Sequence, residues 1–210
     1  MPPLNATYHH GDLRAACLRA ALELLEEDGS AGLSLRAVAR RAGVSPTAPY
    51  RHYADRDALV SAVAAVGYRE LAERLAAAHP VSSAPQDLAA VATAYVRFAL
   101  ERPALFRVMF AEPCDPDSEE RLAATAAISD YVGGMVRHAF PGSDPEALAA
   151  GVWAVVHGLA FLHLDGKFDA TSPDAVADRV GAAVNALLTV SAQAPPPTTA
   201  AVALGERERP

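Results

Sequence analysis

The chain has 210 residues, 51% of them apolar and 20% charged, ample for the core of one elongated or two small domains. No apolar run reads as long enough to span a membrane, and Met1 to Thr7 has neither the basic start nor the apolar stretch of a signal peptide, so the expectation is a cytoplasmic protein with no membrane partner. Cys17 and Cys114 lie far apart and outside any CxxC arrangement, which leaves a zinc site or a redox motif nothing to stand on.

The net charge of -7 argues against a nucleic-acid partner until its distribution is followed along the chain. Residues 1–78 balance nine Arg against nine acidic residues, whereas residues 79–210 carry nine basic and sixteen acidic residues. Within 34–56 five arginines (Arg36, Arg40, Arg41, Arg51, Arg56) face one acid, Asp55. The positive patch is local, as a groove-binding module requires. Seventeen Arg against a single Lys, Lys167, reads mainly as genomic composition bias.

Taken in order, the first predicted helix carries Leu13, Ala16, Cys17, Ala20, Ala21, Leu24 and Leu25 at helical spacing, with Asp12 placed to cap its start and Gly29 its end. Tyr8, His9 and His10 precede it, either as an arm reaching phosphates or as a solvated one. Next comes SLRAVARRAGVSPTAPYRHY at 34–53. Ser34 is placed as an N-cap, Leu33 and Val38 as a hydrophobic staple, and Leu35, Val38, Ala39 and Ala42 face inward. Gly43 stops that helix, Val44 plugs the corner, and Ser45 caps a second helix with Pro46 at its first position, predicted to run from Pro46 to His52. Two short helices about a glycine turn form a helix-turn-helix, whose second helix lies in the major groove. Thr47 and Ala48 then fall at the groove-facing start, Ala48 against a thymine methyl, and Arg51 and His52 at the exposed end.

The amphipathic first helix, AGVS at the turn, Tyr50, Tyr53 and then DRDAL opening a long helix together resemble the tetracycline-repressor (TetR) family of one-component regulators over about residues 8–70. VWAVVHGLAFLHLDG at 152–166 is similar to the Trp-His-Gly stretch of one C-terminal-domain type in that family. The resemblance implies a phosphate contact for the Tyr50 hydroxyl and a phosphate anchor in Arg56, and it adds these to a DNA-contacting set of Ser34, Arg36, Ser45, Thr47, Ala48, Arg51 and His52. Pro49 departs from the family pattern, where an aliphatic residue is common; at the fourth helical position it removes the first intrahelical bond.

Asp55 is placed to cap a helix carrying Leu59, Val60, Val63, Val66 and Leu71 to about Ala78, and the proline- and serine-bearing segment 79–85 marks a boundary. Further helices are predicted at about 86–101, 103–111, 117–139, 145–165 and 173–193, with no run of strand periodicity. The expectation is an all-α chain: a DNA-binding domain at 1–54, a connecting helix at 55–78, a ligand-binding and dimerisation domain at 79–193, and a proline-rich disordered tail at 194–210.

Tyr95, Phe98, Phe106, Met109, Phe110, Tyr131, Met135, Trp153, His157 and Phe161 fall on adjacent helices of that second domain. As a set they suggest a pocket for a small apolar or aromatic effector, with His157 as a polar anchor one turn from Trp153, although each aromatic taken singly reads as core. The alternative face, Ala149, Gly151, Val152, Val156, Gly158 and Leu159, together with Val176, Val180, Ala183, Val184 and Leu187, is expected to build a four-helix homodimer interface from the helices near 145–165 and 173–193. An enzyme is the rival class, resting on His157, His163 and Asp165. On a helix the two histidines point about 120 degrees apart, and no HExxH, GxSxG or phosphate-cradling glycine loop occurs, so no metal, cofactor or catalytic set is expected. The reading is a homodimeric, ligand-responsive regulator, a repressor, on a palindromic stretch of double-stranded operator DNA.

Overall fold

Helical periodicity runs almost the length of the chain, and the structure, a computed structural model, turns it into eight α-helices among the described residues, 10–78, 87–142 and 144–193. The expected arm at Tyr8 and His9, the 79–85 boundary and the 194–210 tail lie outside them. Helix α1 (His10–Asp28) begins ahead of Asp12 and buries Leu13, Cys17, Ala20, Ala21, Leu24 and Leu25. Gly29, at φ 69°, ends it where a side chain would be strained, and a short 3-10 turn, Ser30–Gly32, follows.

Helix α2 (Leu35–Arg41) starts as expected, the Ala37 amide donating to Ser34 Oγ at 3.1 Å. Such a cap contributes about 1 kcal/mol. Gly43 takes φ 69° and the Val44 amide turns back to the Ala39 carbonyl at 3.0 Å, which closes the corner. The second helix of the motif differs from the expectation. Instead of an α-helix over Pro46–His52 there is a turn and then a 3-10 helix of three residues, Pro49–Arg51. Proline supplies the reason: in an α-helix the Pro49 nitrogen would donate to the Ser45 carbonyl, and it has no hydrogen to give. That carbonyl instead accepts from the Ala48 amide at 3.0 Å, a tighter turn. Ser45 makes no cap; its hydroxyl lies 3.4 Å from that of Thr47.

Helix α3 (Arg56–Ala78) is capped by Asp55, whose Oδ1 accepts from the Ala58 amide at 2.9 Å. Between Leu59 and Tyr68 it is buried on nearly every side, because α1, α4 (Asp87–Glu101), α5 (Pro103–Ala111) and α6 (Glu119–Ala139) all pack on it. Gly67 permits a close crossing of α3 and α5. A Cβ there would stand 2.5 Å from Met109 Sδ and 3.1 Å from Leu105 Cγ on α5. Helices α7 (Pro145–Leu164) and α8 (Pro173–Gln193) cover α4 from the far side, Asp144 capping α7 through the Glu146 and Ala147 amides.

Two expectations need correction in this region. Val152, Val156, Leu159, Val176, Val180 and Val184, assigned to a dimer interface, are all buried inside the protomer, where α7 and α8 seat on α4. The outward face of α7 is a different one, made of Ala147, Ala150, Trp153, Ala154 and Leu162. The second concerns length: α7 is 20 residues long and holds an 18-residue window of mean hydropathy 1.8, long and apolar enough to cross a membrane by those measures alone. Beyond Glu146 in its first turn, its titratable groups are His157 and, in the last turn, His163, which interrupt an apolar run less than a charged side chain does.

His163 is buried; it meets Phe168 edge-on at 5.6 Å, and Arg179, stacked over that ring, adds a like charge. Burial first, then Arg179, pull its pKa below the ordinary 6.5, outweighing the Phe168 and Asp169 backbone and the Asp169 carboxylate; burial alone pulls His157 down. A depressed histidine gives stability that is present above its unfolded pKa and lost as pH falls towards the folded one. Thermal melts should therefore hold steady above about pH 7 and decline between about pH 6.5 and 5, a decline that His163→Leu makes shallower. An unchanged profile in that variant would show that His163 does not titrate with unfolding.

Candidate DNA-reading surface and ligand cleft

The glycine corner and the 3-10 turn present one exposed surface. Ser45, Thr47, Tyr50, Arg51 and His52 are exposed on it, Ala48 is half-buried, and Pro49 is the residue that turns inward to anchor the turn. Tyr50 is 52% exposed, so its ring is not spent on packing. Tyr53, by contrast, is core, its hydroxyl donating to the Arg14 carbonyl at 3.3 Å, and burial pushes its pKa up to about 12. Ser34 and Arg36 open α2 at the edge of this surface, both exposed, with the Ser34 oxygen already serving its cap.

The local positive charge is smaller than the sequence count. Arg41 is held by Glu27 at 2.5 Å and Glu23 at 3.4 Å, both on α1. Arg56 is turned away from the reading surface: its guanidinium donates to the Leu33 and Ser30 carbonyls, each at 3.2 Å, and to Glu112 at 3.1 Å. The cations left on the reading surface are Arg36, Arg40 and Arg51.

Glu112, just beyond α5, also accepts from Ser30 Oγ at 2.6 Å, and these two partners hold its carboxyl below the ordinary carboxylate range, Ser30 first and Arg56 second. It is one of several polar ties between the reading half and the rest, Ser61 with the Asp115 amide and Arg74 with Glu101 among them. On one side Arg14 of α1 and Arg69 of α3 share Glu120 of α6; on the other, Arg102 at the start of α5 pairs with Glu26 of α1 at 3.0 Å and Glu70 of α3 at 3.2 Å. Both ends of α5 are thus fastened to the reading half. None of these glutamates was singled out from sequence, because isolated acids on predicted helices read as solvated faces.

Behind α5 lies a cleft of 250 Å³. It is lined by Tyr68 and Leu71 of α3, Tyr95 of α4, Phe110 of α5, Thr125, Ile128, Ser129 and Val132 of α6, and Ala149, Ala150 and Trp153 of α7. A smaller space of 50 Å³ adjoins it, reaching Met135. Of the ten residues expected to line a pocket, Tyr95, Phe110 and Trp153 line the cleft and Met135 the annex. Phe98, Phe106 and Met109 are core instead, Phe106 being completely enclosed by Tyr95, Phe98, Phe110, His157 and Phe161. Tyr131 is tied by its hydroxyl to the Leu75 carbonyl at 3.1 Å, and His157 and Phe161 stand behind the lining at 4.9 Å from one another. The small residues and the hydroxyls of α6 carry no aromatic signal and were not legible.

Burial pushes the Tyr95 phenol well up, the Trp153 indole drawing it slightly back, and its oxygen lies 2.9 Å from His157 Nδ1. A phenol is a stronger acid than a neutral imidazole N–H, so the favoured tautomer has the phenol donating and Nδ1 accepting. Tyr68, pushed up to about 12 by burial, donates to the Met109 carbonyl at 2.7 Å. The residues weighed for an enzyme do not converge: His157 faces Tyr95, His163 sits under Phe168, and Asp165 pairs with Arg107 at 2.6 Å.

Comparison with known proteins joins the two halves. Residues 18–63 match the family described as bacterial regulatory proteins, tetR family, and residues 88–187 match the tetracyclin repressor-like C-terminal domain. An HTH-type transcriptional regulator of Mycobacterium tuberculosis is 34% identical over 131 residues, 61% of this chain and 52% of that protein, so the chain spans about half the length of the curated relatives it matches. A Rhodococcus sp. RHA1 protein of unknown function superposes with a TM-score of 0.73 at 34% identity, covering 86% of this chain and 97% of the other. A tetR-family regulatory protein from Rhodococcus RHA1 superposes with a TM-score of 0.63 at 22% identity, covering 82% and 95%, which speaks for the fold. With a capped helix-turn-helix at one end, a helical domain fastened to it at the other, and both matched, the chain belongs to the TetR family of DNA-binding transcriptional regulators.

Proposed function

We propose that this protein is a homodimeric repressor that holds a near-palindromic operator and lets go when a small molecule fills the cleft between α3, α5, α6 and α7. The observation that carries the reading is the course of α5. Phe110 on its last turn walls the cleft, and Glu112 two residues later grips Ser30 and Arg56 of the reading half. A molecule that displaces Phe110 pulls on the Glu112 tie, so the conformation that suits the cleft need not suit the operator. A ligand shifts that balance only by its difference in affinity for the two states. A coupling of about 1–3 kcal/mol would lower operator affinity roughly 5- to 150-fold.

A single protomer leaves Ala147, Ala150, Ala154 and Leu162 of an otherwise apolar helix facing outward, which favours a second copy as cover. Two-fold symmetry would set two reading turns about 34–36 Å apart, on successive major grooves. Arg36, Tyr50 and Arg51 are the best-placed phosphate contacts, and Thr47 and Ala48 the best-placed base contacts. Arg56 acts in this reading as a tie between the halves rather than as a phosphate anchor.

Three outcomes follow. Arg36→Ala should weaken binding to every DNA sequence alike and reduce the salt slope by about 0.9, whereas Arg56→Ala should leave that slope unchanged; operator titrations at several salt concentrations decide, and equal slopes for wild type and Arg36→Ala would remove Arg36 from the interface. Ala154→Arg, on the outward face of α7, should give folded monomers in sedimentation, while Val156→Asp should fail to fold because its site is core; a dimeric Ala154→Arg would place the interface elsewhere. Glu112→Gln should leave the fold intact in circular dichroism and reduce the effector-induced loss of operator affinity several-fold, and a full response in that variant would exclude α5 as the route.

A further inference from the structure

The polar groups around the cleft share one property that narrows what it can hold. Four hydroxyls line it, on Tyr68, Tyr95, Thr125 and Ser129, and each gives its proton to a protein acceptor. Tyr68 donates to the Met109 carbonyl, Tyr95 to His157 Nδ1, Thr125 to the Arg121 carbonyl at 2.8 Å and Ser129 to the Thr125 carbonyl at 3.3 Å. A hydroxyl has one proton and two lone pairs, so what the Tyr68, Thr125 and Ser129 oxygens still offer the cleft is an acceptor, while the Tyr95 oxygen already meets the Trp153 indole. Among the described residues lining the cleft, none carries a charge. A carboxylate or phosphate entering here would lose its hydration and meet only lone pairs; an ammonium would lose its hydration without gaining a counter-charge.

The geometry points to an effector that is neutral, compact and aromatic, and that brings its own hydrogen-bond donor, as a phenol does. The inference rests on the reading of the cleft as the effector site and adds the chemistry of its occupant. Size agrees: 250 Å³ takes a single substituted ring with a short chain, with Phe110 and Trp153 as apolar faces and the hydroxyls of α6 opposite them. Thr125 and Ser129 are one turn apart on α6, so one donor can be met by either oxygen.

The test is calorimetric titration of the full chain with para-propylphenol, para-propylanisole and para-propylbenzoate. These share the ring and chain and differ in offering a donor, only an acceptor, and a negative charge. The phenol should bind about five-fold or more tightly than the ether, the worth of one neutral hydrogen bond, and the benzoate should give no heat. Thr125→Val with Ser129→Ala should bring phenol and ether to equal affinity, and Ala149→Phe, which fills the cleft, should abolish binding of both in a chain that circular dichroism shows to be folded. Equal affinities in the wild type would overturn the donor requirement. Tightest binding by the benzoate would overturn neutrality and leave the sensor reading standing. Phenol that binds as expected yet leaves operator affinity unchanged would uphold the occupant's chemistry and sink the release mechanism. Phenol binding that survives Ala149→Phe, or no binding by any of the three, would remove the cleft as a site.

Discussion

The carboxylate of Glu112 is the interaction on which the arrangement of the two halves turns. It closes a three-way contact with Ser30, which follows α1, and Arg56, which opens α3, and it does so from the end of the helix that walls the cleft. All three groups are partly buried, where a charge-assisted hydrogen bond is stronger than in water. Were the tie absent, α5 would be fixed to the reading half by Arg102 at its other end, by the buried bond from the Tyr68 hydroxyl to the Met109 carbonyl, and by its apolar seat on α3. Gly67 makes that seat close: with no side chain at this position, Met109 and Leu105 rest directly against the α3 backbone. A tight crossing transmits displacement better than a loose one, because packed interiors yield by discrete shifts rather than continuous deformation.

Much of this was legible in the residues. Caps at Ser34 and Asp55, the left-handed glycines at 29 and 43, and the boundaries of α5 and α8 follow from local chemistry that acts within one turn of the chain, and the structure has them where the sequence puts them. Pro49 was legible in part. Its missing hydrogen announces a weakened helix start, but whether the backbone bends, frays or tightens into a 3-10 turn depends on the pocket that receives the proline ring.

The cleft was less legible, for a physical reason. Aromatic side chains mark where much apolar surface will be buried, yet the same signal serves core and cavity. Phe106 and Phe110 are four residues apart on one helix; the first is enclosed by five rings and the second faces open space. The difference lies in what the opposite wall contributes, here alanines on α7 and hydroxyls on α6 that leave the volume unfilled. Arg56 teaches the same lesson for charge. A cation beside a groove-reading motif suits phosphate, and only the fold brings Glu112, distant in sequence, within 3.1 Å of it.

The outward face of α7 has a consequence for how such a regulator behaves in a cell. A helix whose exposed side is alanine and leucine is stabilised by whatever covers it, and when the cover is another copy the stabilisation scales with the logarithm of protein concentration. Scarce chains would then be both poor readers of paired half-sites and more readily unfolded and degraded. Occupancy of the operator would rise more steeply than linearly with expression, giving a threshold in dosage without any further component.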